Sequence, residues 1–135
     1  MILDTSVLYD VVVDGARSEA ARRFIRQAET LWSPDLIRIE MASALTRSVR
    51  RKDIDGAAAQ AAYRVAVDLV PDVEDSGLLI ARAFEMSLDL VHPCADCVFL
   101  ALAENRSVPL ATSDARFARK LAGTSYARLL HLIEA

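Results

Sequence analysis

The chain has 135 residues, 53% of them hydrophobic and 26% charged, with a formal net charge of −3. That length and balance describe one globular domain able to bury a core, and they exclude a disordered or low-complexity chain. No apolar run is long enough to span a bilayer, no cationic leader precedes "MILDTS", and two cysteines three residues apart exclude a disulfide framework, so a reducing cytoplasm is the expected setting.

In chain order, "ILD" reads as a short buried strand, and "DTSVLYDVVV" begins a helix capped by Asp4, Thr5 or Ser6. "SEAARRFIRQAE" is an amphipathic helix with Ala20, Ala21, Phe24, Ile25 and Ala28 on one face. "TLWS" is a brief strand ended by Pro34, with Trp32 in the core. "PDLIRIEMASALTRSVRRKD" is a strong helix in which Glu40 shares the register of Ile37, Met41 and Ala44. "DIDGAAAQAAYRVAVDL" is an alanine-rich helix, and "LVPDV" is a turn or a short extended piece. "EDSGLLIARAFEMSLDL" is a helix burying Leu79, Ala83 and Met86, and "DLVH" is a candidate strand. "ADCVFLALAENRS" is a helix with Asp96 in its first turn. "VPLATSD" is a buried strand running into Thr112, Ser113 and Asp114. "ARFARKLAG" is a short helix stopped by Gly123, and "YARLLHLIEA" holds the last strand. Short, uniformly apolar strands between helices predict an α/β fold with a parallel sheet covered on both faces.

Charge is uneven along this order. Residues 15–66 carry a net +4, whereas residues 1–14 carry −3 and residues 67–135 hold an excess of acids. A basic segment permits contact with a polyanion, and equally describes a solvated helix surface. Arg47, Arg50, Arg51 and Lys52 end the third helix, where they suit its dipole or the phosphates of RNA. Arg116 is a further candidate for phosphate contact.

In such sheets, ligands bind beyond the carboxyl ends of the strands. Asp4 ends the first strand and Asp114 ends "VPLAT". Asp96 opens a helix after the candidate strand "DLVH", and Glu40 faces inward. Each acid also has an ordinary structural explanation: a cap for Asp4 and Asp114, a dipole partner for Asp96, an ion pair with Arg38 or Arg47 for Glu40. Four carboxylates at one sheet edge repel unless a hard divalent cation sits among them. Mg²⁺ or Mn²⁺ takes one or two carboxylates directly and keeps several waters. It can lower the pKa of a bound water and stabilise a leaving oxygen, as phosphodiester hydrolysis requires. The chain offers no other catalytic kit: its histidines are His92 and His131, and it has no nucleophile elbow and no Gly-rich phosphate loop.

At these residues the sequence resembles the PIN-domain ribonucleases, specifically the VapC-type toxins of bacterial toxin–antitoxin pairs. "ILDTSVL", "RIEMASAL", "DCVFLALAE" and "LATSDARFARKL" match in order across essentially the whole chain. The resemblance implies a single domain over residues 1–135, folded as a three-layer α/β/α sandwich around a short, mainly parallel sheet. It implies a cytoplasmic endoribonuclease dependent on Mg²⁺ or Mn²⁺, with Asp4, Glu40, Asp96 and Asp114 as the catalytic acids. Asp4 and Asp96 would ligate the metal, Glu40 and Asp114 would join directly or through water, and the hydroxyls of Ser6 and Thr112 would orient them. It further implies a homodimer and a cognate antitoxin that silences the site. Cys94 and Cys97 flank Asp96 where small or aromatic residues are more usual, and scarce lysines leave RNA contact to arginine.

Rival readings fare worse. "HPCADC" contains half of a zinc deaminase signature, but no H-x-E precedes it. A structural zinc on His92, Cys94 and Cys97 lacks a fourth ligand. An aspartyl phosphatase would need a second acid where Ser6 stands. The alternative that stays open is a non-catalytic interaction module whose acidic pocket holds a metal or a partner's arginine.

Overall fold

A computed structural model describes all 135 residues. Its strands are β1 (Ile2–Leu3), β2 (Trp32–Pro34), β3 (Asp72–Glu74), β4 (Leu110–Thr112) and β5 (Leu130–Leu132). They form one sheet in the order β3-β2-β1-β4-β5, and every pairing is parallel. The helices are α1 (Thr5–Val12), α2 (Ser18–Gln27), α3 (Leu36–Arg50), α4 (Gly56–Leu69), α5 (Ile80–Leu90), α6 (Cys94–Arg106) and α7 (Ala115–Leu121). Short 3₁₀ turns precede α5 and β5.

The chain steps outward from β1 through β2 to β3, then returns through α5 and α6 to β4 and β5. Right-handed crossovers therefore put α1–α4 on one face and α5–α7 on the other. The packing agrees: α6 lies against β1, β2 and β4, while α1 meets α3, α4 and β4. This is the three-layer α/β/α sandwich expected from the sequence. Ile2, Leu3, Leu110 and Ala111 are fully buried, which is why these strands carry no alternation. Residues Cys97 to Ala103 of α6 are all buried, so this helix is apolar around its whole circumference. No single helix is long and apolar enough to cross a membrane.

Most elements fall where the apolar pattern puts them, with Asp4, Asp55 and Asp114 as side-chain N-caps. "LVPDV" supplies β3. Two expectations need correction. "DLVH" is not a strand: Asp89 and Leu90 finish α5, and Val91 caps it at φ 49° in the left-handed region. Asp96 is thus delivered by a helical hairpin rather than by a strand end. Trp32 is only half-buried: it packs against the edge of the core, and its ring carries the Arg106 guanidinium 4.0 Å from its centroid.

Candidate metal centre

The strand order reverses between β1 and β4: one connects outward to β2, the other outward to β5. A switch point of this kind leaves a crevice beyond the carboxyl ends of the two strands. A cleft of about 660 Å³ opens there, and Asp4, Glu40, Asp96 and Asp114 all line it.

Asp4 is the first residue after β1 and the N-cap of α1, where its Oδ1 accepts from the Thr5 N–H at 2.9 Å. Ser6 Oγ and Thr112 Oγ1 each donate to its Oδ2 at 2.7 Å. The same hydroxyls accept from the next strand's exit: Ser113 N–H reaches Ser6 Oγ at 3.0 Å, and Asp114 N–H reaches Thr112 Oγ1 at 3.1 Å. The two expected hydroxyls thus fasten the ends of β1 and β4 together around one carboxylate. Burial nevertheless pushes the Asp4 pKa up, against its hydrogen bonds, and the charge of Asp96 adds to the rise.

Glu40 comes from α3, between buried Ile37 and buried Met41. It forms no ion pair, and its buried Oε1 has no hydrogen-bond partner. Burial first, then the charges of Asp96 and Asp4, push its pKa up to about 7. Arg47 opposes this only weakly, so the pairing with a nearby arginine that would make Glu40 an ordinary surface acid is not formed. Asp96, in the first turn of α6, bonds His92 Nε2 through Oδ2 at 2.7 Å. Asp114 caps α7, its Oδ1 accepting from Arg116 N–H at 3.0 Å and Phe117 N–H at 3.1 Å.

The convergence is therefore uneven. Asp4, Glu40 and Asp96 feel one another's charge, whereas Asp114 lines the cleft but is not among the charges that raise its neighbours. No group of three or more His, Cys, Asp or Glu side chains is drawn tightly enough to enclose an ion by itself. Asp4, Asp96 and Asp114 each commit carboxylate oxygen to the protein. The donor set still fits a hard divalent cation, which needs only one or two carboxylates beside its waters. The stranded oxygen of Glu40 points the same way. Thr5 Oγ1 is also a buried side-chain oxygen without a partner, and Thr5, Asp10 and Ser113 line this cleft beside Glu40.

The cleft also holds residues the sequence reading overlooked. Asp10 lies four residues after Ser6 on α1, a spacing that pointed to it, and burial raises its pKa. Arg17 donates to the Ser113 carbonyl at 2.6 Å, and Arg17 and Arg119 both line the cleft. Of the proposed phosphate contacts, Arg47, Arg51 and Arg116 line the cleft, but Arg50 and Lys52 do not. Arg47 and Arg51 are one helical step of four apart and share a face. Arg50 instead borders a groove between α3 and α4, and Lys52 sits in a left-handed turn (φ 63°) beyond the helix. Cys94 and Cys97 are free thiols. Burial pushes Cys97 up to about 11, which suits an inert packed thiol.

A family model described as "PIN domain" matches residues 1–121. The chain belongs to the PIN domain family. PIN domains are generally nucleases and typically use divalent metal ions. This PIN domain is also similar to the crystal structure of PAE2754 from Pyrobaculum aerophilum, with a TM-score of 0.71 at 20% identity, over 91% of this chain and 80% of that one. That likeness concerns the fold. No curated protein matches the sequence significantly.

Proposed function

We propose that this PIN domain is a metal-dependent endoribonuclease of the toxin type, acting in the cytoplasm and silenced by a cognate antitoxin. The observation that carries the reading is a half-buried Glu40 that forms no ion pair and leaves Oε1 without a hydrogen-bond partner, in a cleft it shares with Asp4 and Asp96. Asp4 and Asp96 would hold Mg²⁺ or Mn²⁺, with Glu40 and Asp114 joining directly or through water. A bound ion would supply Lewis acidity to a phosphodiester and to the water that attacks it. Ser6 and Thr112 keep the Asp4 carboxylate from rotating. In the metal-free cleft burial and the neighbouring acids hold the Glu40 pKa up to about 7, and a bound ion would favour its charged form.

Arg17, Arg47, Arg51, Arg116 and Arg119 surround these acids and would bind the phosphates on either side of the scissile bond. The acidic floor would equally receive a basic segment of the antitoxin, which would displace substrate and metal together. A homodimer is supported by α5, where Ile80, Phe84, Leu88 and Val91 are each more than half exposed along one stripe.

Cleavage of single-stranded RNA in Mg²⁺ or Mn²⁺, and its arrest by EDTA, test the reading. Asp4→Asn and Asp96→Asn should each lower the rate by at least about 100-fold with folding intact. Undiminished cleavage by either variant would remove that acid from the metal site.

A further inference from the structure

We propose that His92 is a positioning residue: it fixes the rotation of the Asp96 carboxylate, holding one oxygen on the protein and leaving the other for the metal. This rests on the metal reading of the cleft. The bond joins His92 Nε2 to Asp96 Oδ2 at 2.7 Å, and the other oxygen of Asp96 makes no hydrogen bond within the protein. A ligating carboxylate normally has such an outer partner, and the partner sets its orientation.

The imidazole is itself held from several sides. Its ring stacks on Phe117, with centroids 4.7 Å apart and planes inclined by 14°. Phe117 is buried, and its N–H belongs to the cap made by Asp114. One ring therefore ties the acid of α6 to the helix whose cap is the acid after β4. The backbone of His92 is clamped as well: its N–H donates to the Ser87 carbonyl, and its carbonyl accepts from Ser87 Oγ. Lys120 Nζ donates to the carbonyl of Val91, the residue in the left-handed conformation. A β-branched residue rarely takes that conformation, and it persists where the surroundings over-determine it. The turn between α5 and α6 is thus bound to α5 and α7, and it aims one ring nitrogen at Asp96.

The test is Mn²⁺ binding to the metal-free protein, read from the electron paramagnetic resonance signal of free Mn²⁺. His92→Phe keeps a ring on Phe117 and removes the nitrogen, and should weaken Mn²⁺ binding about 10- to 100-fold. His92→Gln places an amide N–H near the position of Nε2, and should stay within roughly threefold of the parent protein. RNA cleavage by His92→Phe should fall at limiting Mn²⁺ and recover at saturating Mn²⁺. Unchanged Mn²⁺ affinity in a folded His92→Phe overturns the proposal. So does a His92→Gln as weak as His92→Phe, because the donor would then be irrelevant. If His92→Phe does not fold, His92→Met fills similar space and carries the same test. A parent protein that binds no Mn²⁺ removes the metal reading and this proposal with it. Binding abolished by Asp96→Asn but untouched by His92→Phe removes this proposal alone.

Discussion

The two ends of α6 treat their acids in opposite ways. At the C-terminal end, Glu104 receives a two-pronged bond from Arg82, Nε to Oε1 at 2.7 Å and Nη2 to Oε2 at 3.0 Å. Arg82 also holds Glu85 and holds the Glu104 carboxyl below its usual pKa. At the N-terminal end, Asp96 has only the His92 ring and faces two more acids, one of them with an oxygen that nothing in the protein satisfies. A chain able to neutralise Glu104 so fully has left Glu40 without an ion pair. An unpaired acid on the wall of a cleft is a standing cost to stability, and such costs gather where a ligand offsets them.

If that contrast is functional, a divalent ion should erase it, and this is the largest effect expected. Mn²⁺ at about 100 times its Kd should add about 2.7 kcal/mol to stability. For a domain of this size that raises Tm by on the order of 10 °C. Asp96→Asn should lose most of the rise. A thermal scan showing no shift in the parent protein would mean that the cleft is not a cation site.

Protons should substitute for the ion in part, with a smaller effect. The folded chain holds protons on Asp4 and Glu40 to higher pH than the unfolded chain does. Stability of the metal-free protein should therefore be greatest below the ordinary Glu40 value of 4.5, as far as these groups contribute, and should fall as pH rises through about 7. Glu40→Gln removes the Glu40 share of that slope and should raise Tm near pH 8 by roughly 2–4 °C, in EDTA. A variant less stable than the parent under those conditions would show that the Glu40 carboxylate is satisfied after all.

What could be read ahead of the structure follows the same division. The order of strands and helices was legible because the strands are short apolar runs and the helix starts carry Asp caps. Glu40 was legible because its register with Ile37 and Met41 leaves it no route outward. The turn after α5 was not: Leu90 and Val91 read as strand, whereas the left-handed Val91 gives its N–H to the Ser87 carbonyl one turn back in α5 and its carbonyl to Lys120 of α7, a partner distant in sequence. The partner of Asp96 lay four residues upstream across Pro93, within local reach, yet nothing in the spacing shows that Phe117 fixes the ring. From sequence Asp114 reads either as the cap of the helix after it or as an acid that joins the metal directly or through water. Its backbone bonds to α7 make it a cap first and a cleft acid second. Arg17 and Arg119 were overlooked because α2 and α7 reach the cleft only through the tertiary fold.

The smallest effect belongs to the satisfied end of α6, and it is the control for the whole contrast. Arg82 and Glu104 are both partly exposed, with side chains 39% and 30% accessible. Exposed pairs are screened by water and salt, so their direct worth is about 0.2–1 kcal/mol. Arg82→Met keeps much of the aliphatic stem and deletes the charge, including the guanidinium 5.8 Å from the Tyr126 ring centroid. It should lower Tm by a few degrees at most, and the loss should shrink in high salt because little desolvated charge is exposed. RNA cleavage and Mn²⁺ affinity should stay at parent levels, since no residue of this cluster lines the cleft. A loss of Mn²⁺ binding in Arg82→Met, with Tm nearly unchanged, would mean that the two ends of α6 communicate. The separation of structural acids from functional acids would then have to be abandoned.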